Sequence, residues 1–229
     1  MRVRNLEELQ SEISADIAWR KKEISDLSLI CHSSDNPALV RACFVMICAH
    51  FEGAIRIASN AYIAYISSQN IKGADLRHEI NAIAVRKKKH QLFKHTGSKK
   101  VKVSSVSEVL KSYDEIYSGN FYIKLSEDDM MPEIDDDDPA LPTEGNPTPD
   151  VLKEITQILG LNYDLLFHLR ENYINSELLK PRHCVVHGER RNIHSRDLNE
   201  AKDFVLRSMD EFSYAIIDAA QNGLHLKPI

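Results

Sequence analysis

The spacing of apolar residues along the chain predicts helices over most of its length. Over residues 6–30 the apolar positions recur three or four residues apart, as on one face of a helix. Residues 36–68 carry a longer and more apolar pattern, with Asp35 or Asn36 as cap and Pro37 at the first helical position, where its missing N–H costs nothing. This second helix is the expected centre of the core.

Three polar residues interrupt that second helix at a regular interval. Glu52, Arg56 and Asn60 recur every four residues, so they form one stripe on the helix surface. One interpretation is a solvated face with a Glu52–Arg56 pair of the i,i+4 type. The other is that the stripe borders a functional cleft. The sequence leaves both open.

Helical patterns return in the C-terminal half of the chain. They cover residues 148–160, 161–174, 176–187 and 197–223. Gly160 and the pair Asn222-Gly223 are expected to end helices. Strands and helices do not alternate, and no glycine-rich phosphate loop is present. The pattern therefore predicts an all-α antiparallel helical bundle, built as a single domain over residues 1–229.

The composition changes between the two helical halves. Residues 75–95 are predicted to be helical, and from Arg77 to Lys102 there are nine Lys and Arg residues against one acid. The part of this basic run from residue 86 to residue 102, which contains Lys87, Lys88 and Lys89, is either an RNA-tracking surface or a solvated charged face. Residues 126–150 are rich in acids and prolines, which predicts a flexible, irregular insertion. Its acidic tract 127–138 is either a solubilising loop or a mimic of nucleic acid that shields the basic run.

The overall composition is that of a soluble globular protein, with 43% hydrophobic and 28% charged residues. No apolar run is expected to reach the ~18 residues that span a bilayer, and the N-terminus leads into no apolar signal region. The prediction is a cytoplasmic protein with no membrane contact. In that reducing compartment the four cysteines, none of them in a CxxC pair, are expected to be free thiols.

The chemistry of the chain is concentrated in "PRHCVVHGERRNIH", residues 181–194. His183 and His187 are spaced as zinc ligands on a helix, but the glutamate of the HExxH motif is replaced by Cys184. No further ligand has a compelling spacing, so no metal or other cofactor is predicted. Cys184 beside His183 also allows a nucleophilic hydrolase, although no GxSxG turn is present.

A third interpretation pairs Arg182 with His187. Histidine transfers protons near neutral pH, and the planar guanidinium of arginine suits phosphate oxygens. Cleavage of RNA through the 2′-hydroxyl needs one group that takes a proton and another that gives one. Since one chain supplies one such histidine, two chains would supply the pair. Pro181 before the motif and Gly188 after it predict a short, bounded helical segment.

The stretch from Arg182 to Glu189 resembles the Arg-polar-x-x-x-His signature of the HEPN superfamily (higher eukaryotes and prokaryotes nucleotide-binding domain). The order of helices, the insertion and the closing amphipathic helix are similar to the MAE-type branch. The resemblance implies a metal-independent endoribonuclease of toxin–antitoxin or antiviral-defence systems, with two motifs facing each other in a homodimer. It also implies that Arg182 binds the scissile phosphate, that His187 is catalytic and that His183 occupies the polar position.

Further roles follow from this resemblance. We expect Glu52 and Arg56 to orient the motif arginine, and an antitoxin protein is a possible partner. Three more arginines are candidates to bind flanking RNA phosphates: Arg190, Arg191 and Arg196. Glu189 replaces the tyrosine that antitoxin-modified members carry, which argues against control by adenylylation. The alternatives are a non-catalytic RNA- or nucleotide-binding HEPN module and a helical interaction protein.

Overall fold

A computed structural model describes residues 3–34, 36–83, 141, 143 and 145–228. Lys87, Lys88, Lys89 and the acidic tract 127–138 lie outside these residues, so the predictions for them stay predictions. The helix predicted over 75–95 is described only at its start, where residues 78–83 are helical.

The described residues form an all-α structure, as predicted. The helices are α1 (Leu6–His32), α2 (Pro37–Ser68), α3 (Pro149–Leu159), α4 (Tyr163–Leu166), α5 (a continuous run of Glu171–Tyr173, Ile174–Leu179 and Lys180–Val186) and α6 (Ser195–Gln221). Single 3₁₀ turns cover Gly73–Asp75 and His168–Arg170. An isolated antiparallel bridge between Leu76 and Leu226 ties the end of the chain to the segment after α2.

The three long helices enclose the core: α1 and α6 each bury one apolar face, and α2 is buried on more than one side between them. α1 runs antiparallel to α2, since Cys31 near its end meets Cys43 near the start of α2. It also runs antiparallel to α6, since His32 contacts Asn199 near the start of α6 and Lys21 contacts Asp210 further along. The core contains large, fully buried aromatic side chains, namely Phe44, Phe51, Tyr62, Phe167 and Phe212. Asn36 is the cap of α2, since its Oδ1 accepts a hydrogen bond of 2.9 Å from the Ala38 N–H.

The helix α5 differs from the prediction at Pro181. The helical run continues from Glu171 to Val186, so Pro181 does not begin a separate segment. Proline has no N–H for an α-helical bond to the carbonyl four residues earlier. The six residues before Lys180 adopt the wider π-helix instead, in which the Lys180 N–H bonds to the Asn175 carbonyl. Single π turns of this kind occur often at functional sites.

The prediction that no apolar run reaches the length of a membrane span is wrong. By length and composition alone α2 is able to cross a membrane, since it contains an 18-residue window of mean hydropathy 1.6. The structure buries 56% of that window inside the bundle, where α2 is the central core helix. The prediction of four free cysteines is wrong, because Cys31 and Cys43 form a disulfide between α1 and α2. Cys48 and Cys184 are free thiols.

Candidate active site at the end of α5

The motif histidine lies where α5 ends. The His187 N–H donates to the His183 carbonyl at 3.0 Å, which closes the last helical turn. Gly188 follows with φ of +76°, a left-handed conformation that glycine adopts without steric cost. The Glu189 N–H then reaches back to the Cys184 carbonyl at 2.8 Å, which completes a Schellman-type cap. The predicted helix end at Gly188 is confirmed.

The two motif histidines lie side by side on the surface. Both His183 and His187 are exposed, and their ring centroids are 4.2 Å apart. This follows from their spacing, because residues four apart share one face of a helix. Both imidazoles are therefore accessible to a ligand in solvent.

Arg182 points away from the two histidines into contacts with α2 and the chain before α3. Its Nη1 donates a hydrogen bond to Oδ1 of Asn146. Its Nη2 lies 3.7 Å from Oε2 of Glu52, and the arginine side chain remains 20% exposed. The other oxygen of Glu52 accepts a hydrogen bond of 3.2 Å from the Thr143 hydroxyl. The guanidinium is thus held in place but still open to a ligand.

The polar stripe of α2 faces this site. Asn60 forms two hydrogen bonds with the backbone of Leu141, one through each side-chain atom and both of 3.2 Å. Glu52 contacts Arg182, and half-buried Arg56 lies between Glu52 and Asn60 on the same stripe. The structure therefore supports the cleft interpretation over the solvated face. The supporting roles of Glu52 and Arg56 stay predictions.

Sequence reasoning missed Asn146 and Thr143. Both lie in the stretch 126–150, for which composition predicts a flexible insertion, yet Thr143 is buried and Asn146 is half-buried. The only local signal was the Asn146-Pro147 pair, which is typical of turns and says nothing about a distant arginine. Asn146 lies 36 residues from its partner Arg182, and Thr143 lies 91 residues from its partner Glu52.

The two free cysteines near the motif are poor nucleophiles. Burial raises the pKa of the Cys48 thiol to about 12, and its Sγ lies 3.9 Å from the Leu178 carbonyl oxygen. A hydrogen bond to the Glu189 carboxylate raises the pKa of Cys184. Because the thiolate is the reactive form, both shifts argue against the nucleophilic hydrolase.

The three further arginines lie around the same end of the molecule. Arg190 and Arg191 are exposed in the loop that follows His187. Arg196, at the start of α6, is paired with Glu200 at 2.8 Å on the exposed surface. Part of the Arg196 charge is thus already compensated. Among the described residues, no group of three or more His, Cys, Asp or Glu side chains is arranged to hold a metal ion.

The helical fold and an Arg-x4-His motif at the end of the helix before the last define the class of HEPN-like helical domains. The sequence model of the RiboL-PSP-HEPN family matches residues 15–218, which is most of the chain. The chain therefore belongs to the RiboL-PSP-HEPN family, and the predicted HEPN membership is confirmed. The match names this family and not the MAE-type branch. No curated protein and no solved structure matches the chain.

Membership limits the range of functions. HEPN domains have nucleotide- or RNA-related functions and are often ribonucleases. The family match names neither a substrate nor a reaction for this chain.

Proposed function

We propose that this protein is a metal-independent endoribonuclease whose catalytic residues are Arg182 and His187. One observation carries the proposal. A fixed but accessible guanidinium precedes two exposed imidazoles on the last turns of a single helix, in a chain of a family whose relatives are often ribonucleases. Arginine supplies the charge that a phosphate needs, and histidine supplies proton transfer near neutral pH.

The reaction follows from these groups. One histidine takes the proton of the ribose 2′-hydroxyl, and the 2′-oxygen attacks phosphorus. The bond from phosphorus to the 5′-oxygen breaks, and a second histidine gives its proton to that oxygen. The products are a 2′,3′-cyclic phosphate and a 5′-hydroxyl end. Arg182 stabilises the charge on the phosphate oxygens during the transfer.

A second copy of the chain supplies the second histidine. In an in-line displacement the attacking and leaving oxygens lie on opposite sides of phosphorus. The rings of His183 and His187 contact each other at 4.2 Å on one helical face, so within one chain both lie on one side of the phosphate. A two-fold partner places its own His187 on the opposite side. The site is thus incomplete in a single chain.

The exposed face of α2 suits this partner. Ala38, Ala42 and Ala49 are exposed, and their spacing places them in line with Glu52 and Arg56 on one face of the helix. Small apolar residues without cover allow two helices to approach closely. A second copy packed on this row would bring the two motifs into one cleft.

Cleavage of a defined single-stranded RNA in EDTA tests the catalytic assignment. We expect the purified protein to cleave it, and His187→Ala to reduce the rate by about 10²–10⁴ with the fold intact. Full activity in His187→Ala would refute the assignment, and loss of activity in EDTA would refute metal independence. Binding of RNA without cleavage by the wild-type protein would favour the non-catalytic HEPN module.

Two exposed substitutions test the dimer. Ala42→Glu places a charge in the row on α2, and we expect it to shift the protein to a monomer in sedimentation and to abolish cleavage. Leu169→Glu is the matched control, because this leucine is 94% exposed and lies outside the row. A monomer that cleaves at the wild-type rate would contradict the composite site.

The proposed biological role is that of a toxin or antiviral-defence effector, with an antitoxin protein as partner. Such a role predicts that expression of the wild-type chain arrests growth and degrades cellular RNA, whereas His187→Ala does neither. Growth without arrest, at equal protein levels, would argue against a toxin.

A further inference from the structure

We infer that Asn146 is a positioning residue for Arg182. Asn146 holds the guanidinium through an uncharged oxygen, so that the positive charge of Arg182 stays available to a phosphate. This rests on the proposed function, because it assigns a role to Arg182. The contact itself is the hydrogen bond from Arg182 Nη1 to Asn146 Oδ1. Glu52 is the other partner, at 3.7 Å, which is beyond hydrogen-bond distance.

The backbone around Asn146 is fixed on both sides. Its N–H donates to the Thr143 carbonyl at 3.2 Å, and its own carbonyl accepts from the Thr148 N–H at 2.8 Å. The two neighbouring prolines, Pro147 and Pro149, are buried. Since proline fixes its own φ and restricts the residue before it, the backbone that carries the Asn146 side chain is held in place.

A second set of contacts fastens the same segment to α2. Leu141 is bound through both backbone groups to Asn60, and Thr143 donates to Glu52. Glu52 in turn pairs with Arg182. Through these bonds Leu141, Thr143 and Asn146 each connect to α2 or to the motif arginine. Asn146 therefore contacts Arg182 close to residues that are hydrogen-bonded to α2.

The chemical type of the residue matters as much as its position. A carboxylate at this place would form a charge-assisted pair with the guanidinium and compete with the phosphate. An amide oxygen accepts the same hydrogen bond without a negative charge. Glu52 already supplies one carboxylate at longer range, so a second would make the surroundings of the arginine net negative and repel a phosphate. The neutral amide orients Arg182 without placing a second negative charge beside it.

Three variants separate positioning from structural support. Asn146→Ala removes the acceptor, and we expect kcat to fall about 10- to 100-fold with little change in KM. Asn146→Asp keeps the acceptor but adds a charge. We expect it to raise KM and to reduce the salt dependence of RNA binding by about one phosphate contact. Thr148→Ala is the matched control, because its hydroxyl caps α3 at Val151 and does not contact Arg182.

Equal losses in all three variants that follow their thermal stability would show a structural role only. RNA binding by Asn146→Asp with the wild-type affinity and salt dependence would also overturn the inference.

A measurement independent of cleavage keeps this result separate from the proposed function. In ¹⁵N NMR spectra of the guanidinium groups, we expect slow rotation of the Arg182 Nη groups in the wild-type protein and fast rotation in Asn146→Ala. Fast rotation in both would refute the contact. A protein that cleaves no RNA but shows the slow rotation would refute the ribonuclease and keep Asn146 as the residue that orients Arg182.

Discussion

The helix α2 carries arginine and histidine contacts on two of its faces, and the two regions differ in what encloses them. Against α1, Arg20 is 7% exposed and donates two hydrogen bonds, of 2.7 and 3.0 Å, to Asp16. Trp19 lies 4.7 Å from its guanidinium, and buried His50 is 3.0 Å from Glu23. The largely buried charges of Arg20 and Asp16 are thus paired with each other inside the protein. We call this region the closed cluster.

The site at the end of α5 uses the same residue types in the opposite way. Arg182 has a neutral amide as its hydrogen-bond acceptor and a carboxylate only at 3.7 Å. His183 and His187 are exposed, whereas His50 in the closed cluster is buried. The buried Arg20 gives its hydrogen bonds to a carboxylate, whereas Arg182 is oriented by a neutral amide and stays accessible to a ligand. Residue type alone does not distinguish the two.

A glycine on α2 makes the closed cluster possible. A Cβ atom built on Gly53 would lie 2.5 Å from Nη1 of Arg20, which is closer than real Cβ contacts allow. The missing side chain therefore lets the guanidinium lie against the α2 backbone.

The largest expected effect is on catalysis, from removal of the accessible arginine. Arg182→Gln should lower the rate of RNA cleavage by about 10²–10³, comparable to loss of one donor that stabilises a developing charge. The free energy of unfolding should change little, because the side chain is partly exposed and replaceable by water. Rates with a fluorescent RNA and urea denaturation measure both. Cleavage by Arg182→Gln at the wild-type rate would show that Arg182 has no role in catalysis and differs from Arg20 only in its exposure.

The second prediction is the converse substitution in the closed cluster. Arg20→Gln should reduce the free energy of unfolding by about 3–5 kcal/mol, because it leaves the Asp16 charge without its buried partner. Gly53→Ala, which displaces the guanidinium, should reduce it by about 1–3 kcal/mol. In both variants the folded protein should cleave RNA as the wild type does. A stability unchanged in urea would show that the cluster contributes nothing.

The third prediction concerns pH. Burial, together with the Arg20 cation, lowers the pKa of His50, and burial lowers that of His225. The unfolded chain titrates these histidines near pH ~6.5, so below that value it binds protons that the folded state does not. Stability should be fully present above pH ~6.5 and should fall as the pH drops below it. Thermal melts between pH 7 and 5 should show a shallower decline in the double variant His50→Gln/His225→Gln than in the wild type. Parallel curves would contradict the assignment.

The smallest effect concerns the loop that follows His187. Because a hydrogen bond to Glu189 raises the pKa of the Cys184 thiol, we expect slow alkylation of Cys184 at pH 8. Glu189→Gln should speed this alkylation a few-fold, since more thiolate is present. Buried Cys48, whose pKa is about 12, is the internal control and should stay unlabelled in the folded protein. An unchanged alkylation rate at Cys184 would show that the Glu189 carboxylate does not contact the Cys184 thiol.

Most helix ends were predictable because their signals are local. Asn5 caps α1 by accepting from the Glu8 N–H at 2.8 Å, Thr148 caps α3, and Gly160 ends that helix with φ of +75°. Each of these signals works within a few residues. The region from Tyr163 to Val186 was less predictable. There, short turns and a π-helix replace the regular helices that the periodicity suggested. Phe167 packs there between Phe51 and Phe212, and periodicity cannot reveal these contacts with residues far away in the chain.

The sequence by itself determined the helical class, the long core helix α2 and the motif that contains Arg182 and His187. It did so because the periodicity, the caps and the six-residue signature each depend on residues that are close together in the sequence. Only the tertiary structure decided that the Glu52 stripe faces Arg182 and that Asn146 holds the arginine. It also decided that Cys31 meets Cys43. These contacts join residues distant in the chain, and their formation depends on how the helices pack.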